Sequence, residues 1–170
     1  MKYTVAIFPG HEVQERANSY RKRYDSHYAL IQPHLKLKWP FEASDENLPA
    51  IIEQIEQIAK DTEPFELLFH KIKTFYPTNP VLFFGVQDPS SLQTLHSKLN
   101  EGPLKREEKY VFVPHLTIAQ DMIEDEFHDV YGRLKMINLN LKSKIDRISL
   151  LYQLGDKTWT THQTFLLGQK

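Results

Sequence analysis

The chain has 170 residues, of which 41% are hydrophobic, 12% aromatic and 25% charged, with a net charge of −1 and no cysteine. That length suits one domain, or two small lobes sharing a core, and the composition excludes a disordered chain. The near-neutral balance excludes a broad electrostatic grip on duplex nucleic acid, and the missing thiols exclude cysteine catalysis, disulfides and cysteine-ligated metal. The opening residues 1–9 carry too short an apolar run for a signal peptide, and no stretch approaches the ~20 apolar residues of a membrane span. A soluble, cytoplasmic protein with no membrane partner is expected.

Residues 3–8 read as a first strand, β-branched and aromatic, closed by Pro9-Gly10. A polar helix over 12–24 follows. It contains the basic run Arg21-Lys22-Arg23, either a solvated helix face or a basic rim for phosphate. A strand is expected over 31–38, broken by Trp39-Pro40-Phe41. Ser44 or Asp45 can cap the next helix, where Leu48, Ile51, Ile52, Ile55 and Ile58 recur at three- and four-residue spacing. Strands over 63–75 and 81–86 come next, joined by the turn Pro77-Thr78-Asn79-Pro80. A helix then runs from Asp88-Pro89-Ser90 to Leu99, with Leu92, Leu95 and Leu99 as its apolar stripe. After a charged loop over 100–109, a strand covers 112–119 and a helix covers 121–136, with Phe127, Val130, Tyr131 and Leu134 on one side. Residues 145–153 and 158–167 form a final hairpin around Gly155-Asp156-Lys157. Helix, histidine-bearing strand, helix, strand, strand thus occurs twice. That order predicts a duplicated α+β fold in one domain, with approximate halves 1–87 and 88–170.

One phrase appears in each half: Pro33-His34-Leu35-Lys36-Leu37 and Pro114-His115-Leu116-Thr117-Ile118. In a strand, residues i and i+2 share a face. His34 therefore lies beside Lys36, and His115 beside Thr117. A duplicated fold would bring both faces to one cleft, giving two imidazoles and two short-range donors. Imidazole gives or takes a proton near neutral pH, and aimed donors stabilise phosphoryl oxygens. The pattern points to an acid–base phosphoesterase site. The other histidines (His11, His27, His70, His96, His128 and His162) show no metal-ligand spacing, so no metal site is expected. Tyr24, Trp39, Phe41 and Tyr152 are candidates either to stack on a base or to fill the core, and Lys105 and Arg106 either to meet phosphate or to face solvent.

Paired His-x-[Thr/Ser]-x phrases half a chain apart in a small duplicated α+β protein resemble the 2H phosphoesterase superfamily. That group includes 2′-5′ RNA ligase-like proteins and cyclic nucleotide phosphodiesterases. Arg21-Lys22-Arg23-Tyr24-Asp25, Phe112-Val113-Pro114-His115-Leu116-Thr117 and the ending Thr164-Phe165-Leu166-Leu167-Gly168 after Trp159 look typical of a small bacterial branch of it. The resemblance implies a bilobal fold with pseudo-twofold symmetry, antiparallel sheets lining a central cleft and helices outside. It also implies no cofactor or metal, and a nucleotide or RNA-end substrate. It makes His34 the proton donor, His115 the proton acceptor and Thr117 a phosphate ligand. The chain departs from the pattern at Lys36, where a hydroxyl is expected. Lysine is also a phosphate-binding side chain, but as a longer, flexible point charge. Two functions follow: a metal-independent phosphoesterase acting on a cyclic phosphodiester or 2′-5′ linkage, or a binding module that turns its ligand over poorly.

Overall fold

The computed structural model describes residues 1–169. In chain order its elements are β1 (Lys2–Ile7), α1 (His11–Tyr24), β2 (Leu35–Glu42), α2 (Leu48–Lys60), β3 (Phe65–Phe75), β4 (Asn79–Val86), α3 (Ser90–Lys98), β5 (His115–Ala119), α4 (Glu124–Leu134), β6 (Asn138–Ile145), β7 (Arg147–Gln153) and β8 (Trp159–Leu166). The strands form two four-stranded sheets, ordered β2-β1-β7-β8 and β5-β4-β3-β6, and every pairing is antiparallel. With four helices beside two antiparallel sheets, the class is α+β.

The sheets do not follow the halves 1–87 and 88–170. The first half gives β1 and β2 to one sheet and β3 and β4 to the other; the second half gives β7 and β8, then β5 and β6. The reason is edge protection. β1 is apolar along almost its whole length, and every residue from Tyr3 to Ile7 is buried. Left at an edge it would expose unpaired backbone. β7 crosses back to pair Tyr3 with Tyr152 and Ala6 with Ser149, which encloses β1 on both sides.

Helical periodicity places the stripes as expected. Ile51, Ile55 and Ile58 of α2 are buried, as are Leu92 and Leu95 of α3 with Leu99 just beyond, and Phe127, Val130 and Leu134 of α4. Each such side chain contributes roughly 1.5–3 kcal/mol by leaving water. Phe69, Phe84 and Phe127 are among the largest fully buried side chains.

Five local features differ from expectation. Residues 138–145 form an unforeseen strand, β6, whose strict alternation turns Leu139, Leu141, Ser143 and Ile145 inward. β2 starts only after His34 and runs through Pro40 to Glu42. Proline lacks an N–H, but β2 is an edge strand, and its register against β1 slips twice. Ser44 does not cap α2 directly; its hydroxyl accepts the Asn47 N–H at 3.3 Å within the preceding turn. β5 begins at His115 rather than 112, and α4 is shorter than its expected 121–136 span. Among the described residues, no helix is long and apolar enough to cross a membrane.

Candidate active site

β2 and β5 hold equivalent places, each at an edge beside the strand that precedes it in the chain, and these two edges meet. His34 stands immediately before β2 and His115 opens β5, each directly after a buried proline. Gln14 of α1 fixes the first entry by donating its amide to the Pro33 carbonyl at 2.7 Å and to the Pro9 carbonyl at 3.3 Å.

Both rings are then held in the same way. His34 donates Nδ1–H to the Gln32 carbonyl at 2.9 Å, and His115 donates Nδ1–H to the Val113 carbonyl at 2.7 Å. A carbonyl can only accept, so the proton of each neutral ring is placed on Nδ1 and Nε2 is left as the working atom. The His115 ring also stands edge-on to Phe75, 5.0 Å away at 84°, and to Phe83, 5.4 Å away at 64°. His34 has a looser aromatic neighbour, Phe8, at 6.3 Å.

A cleft of about 470 Å³ receives all four residues singled out from the sequence: His34, Lys36, His115 and Thr117. Burial pushes the His34 imidazolium down to about 4; the Lys36, Arg21 and His115 charges add to this, and the Gln32 hydrogen bond opposes it. His115 is lowered as well, first by burial and then by Lys36, against its Val113 hydrogen bond. Burial lowers Lys36 itself. The Lys36 ammonium acts on both imidazoles and lies 5.2 Å over the Trp39 ring. It therefore reaches into the cleft instead of swinging out to solvent. An entering phosphate would offset that ammonium and return proton affinity to both rings.

The other candidates divide. Trp39 is half-exposed on the cleft rim, whereas Phe41 is buried and stacked on Tyr3 at 6.1 Å. Tyr24 and Tyr152 lean on the core. His162 sits between Tyr3 and Tyr152, about 6 Å from each, on the far edge strand of its sheet. Arg106 lies 5.5 Å over the Phe41 ring and donates to the Pro103 and Lys105 carbonyls. Arg21 is no solvated face: it lines the cleft from a buried position, ion-paired with Asp25 at 2.9 Å. Sequence reasoning missed Lys38 and His96, which also line the cleft. Lys38 continues the alternation His34, Lys36, and His96 stands four residues after Leu92, on the buried face of α3. Among the described residues, no three His, Asp or Glu side chains gather to hold a metal ion.

Two antiparallel sheets whose edge strands bring one anchored histidine each to a shared cleft define a protein of the 2H phosphoesterase class. The chain belongs to the 2′-5′ RNA ligase superfamily, whose family model matches residues 9–157. It is 48% identical to a protein of Oceanobacillus iheyensis named "Putative phosphoesterase", over 99% of both chains. A protein of Halalkalibacterium halodurans with the same name is also 48% identical, over 100% of this chain and 99% of that one. Among solved structures, Escherichia coli LigT complexed with 3′-AMP superposes with a TM-score of 0.73 at 19% identity, covering 99% of this chain and 98% of LigT. TT0787 of Thermus thermophilus superposes with a TM-score of 0.72 at 16% identity, with the same coverage. These two likenesses concern the fold.

Proposed function

We propose that this protein is a metal-independent phosphoesterase that opens a cyclic phosphodiester, or cleaves a 2′-5′ linkage, in a nucleotide or RNA end. The observation that carries the reading is the pair of identically anchored imidazoles lining one cleft. One Nε2 takes the proton of the attacking water while the other gives a proton to the leaving ribose oxygen. Thr117 and Lys36 supply a hydroxyl and an ammonium to the phosphoryl oxygens. LigT, which shares the fold, has been crystallised with 3′-AMP, with phosphate and with ATP, ligands of the proposed class.

The resemblance makes His34 the proton donor and His115 the acceptor. The electrostatics of the cleft's own residues run the other way, because His34 is the ring driven down to about 4. The proton is better held at His115 until a phosphate arrives. The profile of kcat/KM against pH is therefore expected to be bell-shaped and displaced to acid. Activity falls below about pH 4, as His34 takes up a proton, and falls again as His115 loses its own at a pH below the usual histidine value. A profile centred at or above pH 7 would contradict this.

A second reading, a binding module with poor turnover, is favoured by Lys36, whose charge disfavours the imidazolium the chemistry requires. Hydrolysis of 2′,3′-cyclic nucleotides in EDTA by wild type and Lys36→Thr separates the two. The enzyme reading expects turnover by wild type. In Lys36→Thr both limbs of the profile should move to higher pH, since a positive neighbour has been removed from each ring. No turnover by either protein, with retained nucleotide binding, would establish the binder.

A further inference from the structure

We propose that the cleft contains a second anion subsite at Lys38, which takes another phosphate of the same substrate, one ribose away from the phosphate held between the histidines. The inference rests on the phosphoesterase reading and narrows its substrate class to nucleotides or RNA ends carrying at least two phosphates.

Lys38 is only 4% exposed, yet it lines the cleft with His34 and Lys36. Buried ammonium groups are normally paired, because an unpaired charge is costly to remove from water. This one has three donors to satisfy. Its one hydrogen-bond acceptor among the described residues is Asn100 Oδ1 at 3.2 Å, which is neutral and already takes the Arg106 N–H at 2.9 Å. The neighbouring carboxylate, Glu108, is engaged elsewhere: its Oε1 receives His96 Nε2 at 2.7 Å and Asn100 Nδ2 at 3.5 Å. A second cation stands close by, with Lys38 Nζ 5.8 Å and the Arg106 guanidinium 5.5 Å from the same Phe41 ring. Burial, then Arg106, lower Lys38 to about 8 against the pull of Glu108, so it stays a cation at neutral pH with little to balance it.

The backbone aims this residue deliberately. Lys36 pairs with Ala6 and Lys38 with the adjacent Val5, so Leu37 is an extra residue in β2. Such bulges re-aim side chains beside active sites. Lys36 and Lys38 flank the bulge and line the same cleft, so two successive cations can meet two phosphates of one nucleotide. Lys36 then serves the reacting phosphate and Lys38 the next.

Titration calorimetry at fixed salt with adenosine 3′-phosphate and adenosine 3′,5′-bisphosphate tests this on wild type, Lys38→Met and Lys38→Arg. Wild type should bind the bisphosphate about tenfold tighter, the scale of one hydrogen-bonded charge pair. Lys38→Met should bind both nucleotides equally, and Lys38→Arg should restore the preference. Equal affinities in wild type, a preference that survives Lys38→Met, or no binding of either nucleotide would overturn the subsite. The wild-type comparison alone can do so, whether or not Lys38→Met folds. Hydrolysis of 2′,3′-cyclic nucleotides with and without a 5′-phosphate separates the two proposals. A bisphosphate preference without any hydrolysis removes the catalytic reading and leaves the subsite. Hydrolysis indifferent to the 5′-phosphate, with equal affinities, removes the subsite alone.

Discussion

His34→Ala and His115→Ala should each lower the kcat for hydrolysis of a 2′,3′-cyclic nucleotide by roughly 10²–10⁴-fold, the usual contribution of a positioned acid or base. Thermal stability should change little. Each ring is partly open to the cleft, and its one hydrogen bond is to a carbonyl of an exposed neighbour, Gln32 or Val113, that water can serve. The two losses should not add, because the groups act on one transition state. Retention of more than about a tenth of wild-type turnover by either variant would contradict a two-histidine mechanism. A 4-nitrophenyl phosphodiester distinguishes the roles, since its leaving oxygen needs no proton. The variant lacking the acid should be largely spared on that substrate, and the variant lacking the base should not. Sparing of His115→Ala would follow the electrostatics of the cleft's own residues; sparing of His34→Ala would follow the family's order of roles.

Much of this arrangement was legible in the sequence because it depends on local periodicity. The repeated Pro-His-Leu phrase marks both edge strands, and the Ile51, Ile55, Ile58 and Leu92, Leu95, Leu99 spacings mark buried helix faces. What escaped depends on tertiary context. β6 carries a clean alternation, but Asn138, Asn140, Lys142 and Lys144 make its solvent face look like a loop. The strand break expected at Pro40 ignored that an edge position has no partner to disappoint. The interleaving of chain halves between sheets is set by which edge most needs cover, and no local pattern records that. Charged residues are the hardest to place. The Arg21-Lys22-Arg23 run reads as a solvated helix face or a basic rim, although Val13, Ala17 and Arg21 recur every fourth residue on one buried helix face, and nothing local singles out Lys38 at the end of its strand. When a cation continues a buried stripe, position outweighs type, and a buried partner or an anion should be sought.

Arg21→Met should destabilise the protein by about 3–5 kcal/mol, the cost of leaving one member of a buried ion pair alone. For a chain of this size that corresponds to a fall in Tm on the order of 10 °C. Arg21 is 2% exposed and donates Nε to Asp25 at 2.9 Å, Nη1 to Asn18 at 2.9 Å and Nη2 to the Ile31 carbonyl at 2.6 Å. Asp25 in turn accepts the His27 N–H at 2.9 Å and the Gln120 amide at 2.7 Å. One pair thus ties the end of α1 to the segment leading into His34 and to the residue that follows β5. Methionine fills the volume but leaves the Asp25 carboxylate buried without its cation. Arg21→Met/Asp25→Leu removes both charges and should recover part of the loss, whereas a purely steric effect would give a double variant no more stable than the single one. The pair has a second readout at the active site. Arg21 is one of the charges that hold His34 down, so its removal should raise the proton affinity of His34 and move the acid limb of kcat/KM to higher pH. Arg21→Lys keeps the charge and loses the fork, so it should lose stability while leaving that limb near its original position. An acid limb unmoved in Arg21→Met would confine the residue to holding the loop and remove it from the electrostatics of the cleft.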